Sequence, residues 1–232
     1  MSQLHITWYG HSNVMISENG VSVLFDPFFE GNRFAPDWRE IPRPDIVALT
    51  HDHGDHLGQT VEIVRTTGAT LYCIADLVGY FREHGVPESQ IINYGMGGNV
   101  DGTLEAHGAK LTMTQAFHSA ATGSPVGYVV EMPGGHTVYH AGDTGLFGDM
   151  ALIADRFKLD LALLPIGGVF TMDGRLAAKA AALLGAPVAM PMHYRTFPVL
   201  AQNADLFVES LKEFAPNCRP LVIEPNEMVV LD

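Results

Sequence analysis

The sequence predicts an α/β domain in which two sheets pack face to face with helices outside, and three observations carry that expectation. The chain opens on a meander of short strands, and each half then passes from such a meander into alternating strand and helix segments. With 232 residues, 47% of them hydrophobic, it can bury one sizeable core. No shift in composition marks a linker, so a single domain over 1–232 is expected.

The elements follow in order. Apolar or alternating runs at 4–8, 13–17 and 21–25, separated by turn formers such as Asn19-Gly20, read as a β meander. Four prolines between 26 and 45 break any periodicity and predict a long loop lying over something. A strand at 46–49, a helix at 58–66, a strand at 70–74 and a helix at 75–84 follow, the last stopped by Gly85-Val-Pro87. Gly95-Met-Gly-Gly98 lacks the Lys-Ser/Thr end of a phosphate loop and reads as a turn. Strands are then expected at 110–117, 126–132 and 137–140, the last two joined through Pro133-Gly-Gly135. The alternation resumes with a helix at 147–157, a strand at 159–165, a helix at 173–184 and a strand at 187–190; a helix at 200–214 and two short strands finish the chain.

Charge narrows the function. A net charge of −13, with only 13 Lys and Arg, argues against a nucleic-acid partner, whose phosphates need neutralising. Cys73 and Cys218 form no CxxC pair and read as small buried thiols in a reducing cytosol. No basic segment followed by an apolar one opens the chain, and no run of 18 apolar residues occurs, so a cytoplasmic protein without a membrane partner is expected. The apolar content leaves room for a homo-oligomeric interface.

The chemistry concentrates in Thr50-His-Asp-His-Gly-Asp-His56, directly after the strand at 46–49. Imidazole nitrogen and carboxylate oxygen are ligands for divalent metals. His51 and His53 can share one ion, and Asp55 and His56 can present a second, at the roughly 3.5–4 Å spacing of two-metal hydrolytic sites. One heptad cannot supply every donor, so further ligands are expected at other strand ends. His118 follows 111–117, Asp143 follows 137–139 with Gly142 to permit a sharp turn, and His193 follows the strand starting at 187. Donors without thiolate suit Zn²⁺, Mn²⁺, Ni²⁺ or Fe²⁺.

Taken in order, His51-Asp-His-Gly-Asp-His56, Phe117-His-Ser119, Ala141-Gly-Asp-Thr144 and Met192-His-Tyr194 resemble the ligand series of the metallo-β-lactamase superfamily, over essentially the whole chain. More narrowly, Ile6-Thr-Trp-Tyr-Gly-His-Ser12, Asp26-Pro-Phe28 and Pro191-Met-His-Tyr-Arg-Thr-Phe-Pro198 resemble its bacterial metal-dependent hydrolase subgroup, which is related to L-ascorbate-6-phosphate lactonases. The resemblance implies a four-layer αββα sandwich of two mixed sheets with the site along one edge. It implies His51, His53 and His118 around a first ion, Asp55, His56 and His193 around a second, and Asp143 bridging them. Asp26 would support the histidine loop through hydrogen bonds, or simply form the turn before Pro27. His11 would lie near the cleft as a substrate contact or a structural histidine, His140 as a packed or supporting one. Tyr194 and Arg195 would face an anionic or carbonyl group. His5, His84, His107 and His136 have no partner spacing.

The expected reaction is hydrolysis of a small ester, lactone or phosphoester-like substrate by a hydroxide formed between two divalent ions, Zn²⁺ first among them. The leaving group would take its proton from water or from Asp55. Ser119 adjoins His118, but no G-x-S-x-G elbow accompanies it. Three other classes share these ligands: a di-iron redox protein, whose usual flavin domain has no room in 232 residues; an RNA-processing nuclease, which the acidity disfavours; and a metal-binding protein without turnover.

Overall fold

A computed structural model describes residues 2–232. Its elements are β1 (Leu4–Trp8), β2 (Val14–Glu18), β3 (Val21–Phe25), β4 (Ile46–Ala48), α1 (Gly54–Leu57), α2 (Thr60–Thr67), β5 (Thr70–Tyr72), α3 (Val78–Glu83), α4 (Ile92–Gly95), β6 (Thr103–Ala106) and β7 (Ala109–Gln115). They continue with β8 (Val126–Glu131), β9 (Thr137–His140), α5 (Met150–Arg156), β10 (Leu161–Pro165), α6 (Gly174–Leu184), β11 (Val188–Met192), α7 (Asp205–Phe214), β12 (Arg219–Pro220) and β13 (Met228–Leu231).

The first sheet has the order β13-β1-β2-β3-β4-β5, the second β12-β11-β10-β9-β8-β7-β6. Both are mixed. β13, β1, β2 and β3 pair antiparallel, and β4 and β5 join parallel. In the second sheet β6 to β9 are antiparallel and β9 to β12 parallel. The opening meander forms because Leu4, Ile6 and Trp8 alternate onto one buried face. Asn19 and Gly20 supply the two positive φ angles, 49° and 80°, of its tight turn.

The sheets meet through aromatic residues. The Tyr128 hydroxyl on β8 donates to the Leu49 carbonyl at 2.6 Å, and its ring lies 5.3 Å from that of Tyr72. His140 on β9 stacks on Phe25 of β3 at 4.5 Å. β10 and β11 are buried along their whole length, as expected of parallel strands covered on both faces. α6 lies against β10 and beside α7, presenting Ala177, Ala178, Ala181 and Leu184 inward. A Cβ at Gly174 would come within 2.5 Å of the Phe207 backbone, so only glycine permits this helix approach. Two mixed sheets with helices outside is therefore the architecture, as predicted. Among the described residues no helix is long and apolar enough to cross a membrane.

Several boundaries differ from expectation. The helix expected at 58–66 starts at Thr60, and a separate turn of helix, α1, forms inside the histidine motif. The helix expected from 200 starts at Asp205, because the preceding backbone bonds to loops: Ala201 N donates to Gly167 O and Ala201 O accepts from Arg195 N. That expected at 147–157 opens with i to i−3 bonds and becomes α-helical at Met150. β6 was not expected; it is a half-exposed edge strand folded back on β7 through His107 and Gly108, both at positive φ. The turn expected over Gly95 to Gly98 is only partly one: Gly95 ends α4, Met96 turns the chain, and Gly98 bridges Ile74 so closely that a Cβ there would lie 2.5 Å from Tyr72.

Candidate metal centre

Every donor read from the sequence sits just beyond the end of a strand. His11 follows β1, Asp26 follows β3, His51 to His56 follow β4, His118 follows β7, Asp143 follows β9 and His193 follows β11. Three of these turns force a non-glycine residue to positive φ: His11 at 57°, Asp26 at 41° and His193 at 57°. Such conformations cost of order 1–3 kcal/mol and persist where the surroundings fix them. The fixing bonds are visible, since His193 N donates to His11 O at 2.9 Å and Asp26 N to Ala48 O at 3.2 Å. α1 lets Asp55 and His56, adjacent in sequence, leave the backbone in different directions. Gly58 ends it at φ 40°, where a Cβ would lie 2.2 Å from Pro27 O. The histidine loop is thereby pressed onto the turn that carries Asp26.

The donors gather in three overlapping groups, each with its ligand atoms within 4.8 Å of one another: His51, His53 and His118; His11, Asp55, His56 and His193; and His51, His56 and Asp143. The first two are the sets that the resemblance implied for the two ions, with His11 added to the second. Asp143 lies between them. Its Oδ2 is 3.0 Å from His193 Nε2, 3.3 Å from His56 Nε2 and 3.5 Å from His118 Nε2. His51 Nε2 and His53 Nδ1 approach to 3.0 Å.

Behind the donors a hydrogen-bond network sets their tautomers. Asp26, fully buried, accepts from Thr50 N at 2.8 Å, Thr50 Oγ1 at 2.7 Å and His56 Nδ1 at 2.7 Å. His56 therefore turns its Nε2 toward Asp143. Because the Thr50 hydroxyl donates to Asp26, it accepts from His51 Nδ1 at 3.0 Å and leaves His51 Nε2 as a free donor atom. A carboxylate behind a ligating histidine raises its basicity and fixes its ring.

The residues fit a metal. His56 Nε2 and Asp143 Oδ1 are buried without a hydrogen-bond partner, and the other Asp143 oxygen, Oδ2, lies 3.3 Å from His56 Nε2, so the pair calls for a positive charge beside it. The electrostatics agree. Burial opposes a charge on His56, but Asp143 and Asp26 outweigh it and hold the pKa well above the usual histidine value. Burial would raise Asp143, yet His56 and His193 keep it well below the carboxylate range. Burial and then the neighbouring His193 push His11 down to about 4; burial and then His56 push His51 down to about 2. Burial also lowers His118. His11, His51 and His118 are therefore neutral at pH 7, the form that ligates, while the two carboxylates beside His56 favour a positive charge at its ring.

His53, Asp55, His118, Ser119, Asp143, Phe170 and His193 line a cleft of 310 Å³ open to solvent, with His51 and His56 buried behind it. A larger groove of 630 Å³ runs past Trp38, Arg43 and Glu62, but none of the donors reaches it, so size does not mark the chemistry.

Other sequence-predicted residues land elsewhere. Tyr194 is 1% exposed and stacked flat on Trp8 at 5.1 Å, a core residue and not a substrate contact. Arg195 donates to Glu224 at 2.9 Å and lies over the Phe34 ring, so its charge is spent away from the cleft. His140 is packed: it stacks on Phe25, its Nε2 donates to Ser12 O at 3.0 Å and its Nδ1 accepts from Gly142 N at 3.2 Å. His11 is closer to the centre than expected, with its ring 4.0 Å from that of His193 and its Nε2 3.1 Å from Asp55 Oδ2. Asp52 turns away and accepts from Ala121 N. Sequence reasoning missed Thr50 and Phe170, and weighed the Thr144 hydroxyl only as a nucleophile. Thr50 opens the motif and could have been noticed there; Thr144 O accepts from Met172 N and its hydroxyl from Phe117 N, which no local pattern foretells.

Comparison with known proteins follows the same lines. The Beta-lactamase superfamily domain matches residues 22–194. A UPF0173 metal-dependent hydrolase of Nitratidesulfovibrio vulgaris is 52% identical over 99% of this chain and 96% of its own. Another, from Methanopyrus kandleri, is 42% identical over 97% of this chain and 98% of its own. Among solved structures, a metallo hydrolase from the hyperthermophilic archaeon Ignicoccus hospitalis matches with a TM-score of 0.89 at 34% identity, covering 99% of each chain.

Proposed function

The chain belongs to the β-lactamase superfamily and is a metal-dependent hydrolase, and from that premise we propose that it holds two divalent ions and cleaves a small ester, lactone or phosphoester-like substrate. The observation that carries this is the position of Asp143, whose Oδ2 lies within 3.5 Å of His56, His118 and His193, between the two donor groups. His51, His53 and His118 would hold one ion and Asp55, His56 and His193 the other, with Asp143 within reach of both. When bound, such a pair would lower the pKa of a water to about 7 and polarise a carbonyl or phosphoryl oxygen, so no serine is required.

The chain's own residues do the rest. Asp26 and Thr50 orient His56 and His51. His11 donates to Asp55, and that bond with the charge of His56 outweighs burial and keeps the Asp55 carboxyl below its usual range. Asp55 thus stays ionised, which suits ligation better than proton donation, and the open cleft lets water protonate the leaving group. Nitrogen and carboxylate donors without thiolate favour zinc, with manganese, nickel and iron compatible. The buried free thiols of Cys73 and Cys218 support a cytoplasmic location.

The test is metal analysis and a panel of esters, lactones, phosphodiesters, thioesters and β-lactams on one preparation. Two equivalents of metal per chain are expected. His53→Ala and Asp143→Ala should each lose metal and lower kcat/KM by at least the roughly 10–100-fold that removal of a merely supporting residue costs. Full activity in a variant that has lost metal would sink the reading.

A further inference from the structure

The lining of the cleft says what kind of group it accommodates. Of its seven residues five belong to the donor groups, Ser119 is neutral, and Phe170 is the large apolar one. Among the described residues no Lys or Arg lines it, and Arg195, the cation expected there, is bound to Glu224. In a chain of net charge −13, an anionic substituent reaching past the ions would meet no complement.

Phe170 is 59% exposed, an unfavourable place for a phenyl ring unless something covers it. It is not on a loose loop. Gly168, at φ 95°, turns the chain, and Gly168 N donates to Met172 O at 3.0 Å. The base is fastened to both sides of the metal centre. Met172 N donates to Thr144 O at 3.1 Å, next to Asp143, and Ile166 N donates to Met192 O at 3.0 Å, next to His193. The backbone that carries Phe170 is thus held over the cleft, and an apolar wall on a fixed loop contributes affinity at a reduced ordering cost.

We propose that Phe170 determines specificity, selecting a neutral ester or lactone whose acyl part carries an alkyl or aryl group over a phosphoester. The inference rests on the hydrolase reading above, and its test separates the two.

Two series are measured on zinc-loaded protein: binding of hydroxamic acids from acetyl to octanoyl by calorimetry, and turnover of p-nitrophenyl esters of the same chain lengths beside bis-p-nitrophenyl phosphate. A wall on one side of the chain should tighten binding by about twofold per methylene, against about fourfold for full burial. Esters should follow the same slope and outrun the phosphodiester. Phe170→Ala should flatten both series while leaving acetohydroxamate affinity and metal content near wild type, and Leu152→Ala, an exposed apolar residue outside the cleft, should keep the slope. Octanohydroxamate binding no tighter than acetohydroxamate overturns the proposal, as does a Phe170→Ala variant that keeps the slope, even if its oligomeric state changes. A hydroxamate slope that Phe170→Ala abolishes, with no ester cleaved, would leave the apolar wall standing and remove the ester reading.

Discussion

Asp26 shows how much a single carboxylate can organise. It binds the backbone and hydroxyl of Thr50 and the ring of His56 at once, so both donor groups depend on it. Asp26→Asn keeps the side-chain shape and tolerates positive φ but offers one acceptor oxygen where two are used. Metal affinity should fall about 10–100-fold, read by competition with a chromophoric chelator, and stability in urea by about 1–3 kcal/mol for the donor left unpaired; unchanged affinity would make Asp26 a plain turn former. At this scale the donors were legible, because a histidine or aspartate directly after a strand is an economical way to bring a side chain to a sheet edge. What lies across the cleft from them was not. Tyr194 and Arg195 follow His193 in sequence, yet positive φ at both His193 and Arg195 swings the chain away, toward Trp8 and Glu224. His11 reaches Asp55 over 44 residues of separation, a contact that only the tertiary fold creates.

Among elements, the turn from β9 to Asp143 is a close-packed junction in the site. Gly142 has φ 61°, and a Cβ there would lie 2.5 Å from Val126 O and 3.1 Å from Thr50. Gly142→Ala should therefore cost about 2–4 kcal/mol and shift Asp143, weakening metal binding as well. Gly148→Ala, where a Cβ meets nothing within 4 Å, should stay within about 0.5 kcal/mol in the same urea experiment. Strands with buried, alternating or continuous apolar runs were readable from periodicity. Helix starts were not, since 147–149 and 200–204 have helix-compatible sequences whose backbone groups bond to neighbouring loops or in tighter turns. α1 escaped notice because four residues give no period to detect, although that one turn is what separates Asp55 from His56.

For the molecule as a whole, metal binding and folding are one equilibrium, since the donors come from strand ends spread over both sheets and converge only in the native state. Free zinc at 100 times its dissociation constant should add about 2.7 kcal/mol per site. For a chain of this size that raises Tm by about 5–11 °C, reversed by a chelator and graded with metal concentration; a Tm indifferent to both would mean the native state holds metal no better than the unfolded chain. The two-sheet architecture was legible because each half repeats the passage from meander to alternation. The strand order within each sheet was not, because short-range pattern cannot say that β13 pairs with β1. That pairing has a consequence for biosynthesis. β1 leaves the ribosome roughly two hundred residues before its partner β13, an interval of ten seconds or more at about 5–20 residues per second. Throughout it one margin of the nascent first sheet is open to any other extended chain, so it is during translation, before β13 arrives, that this protein most needs a chaperone.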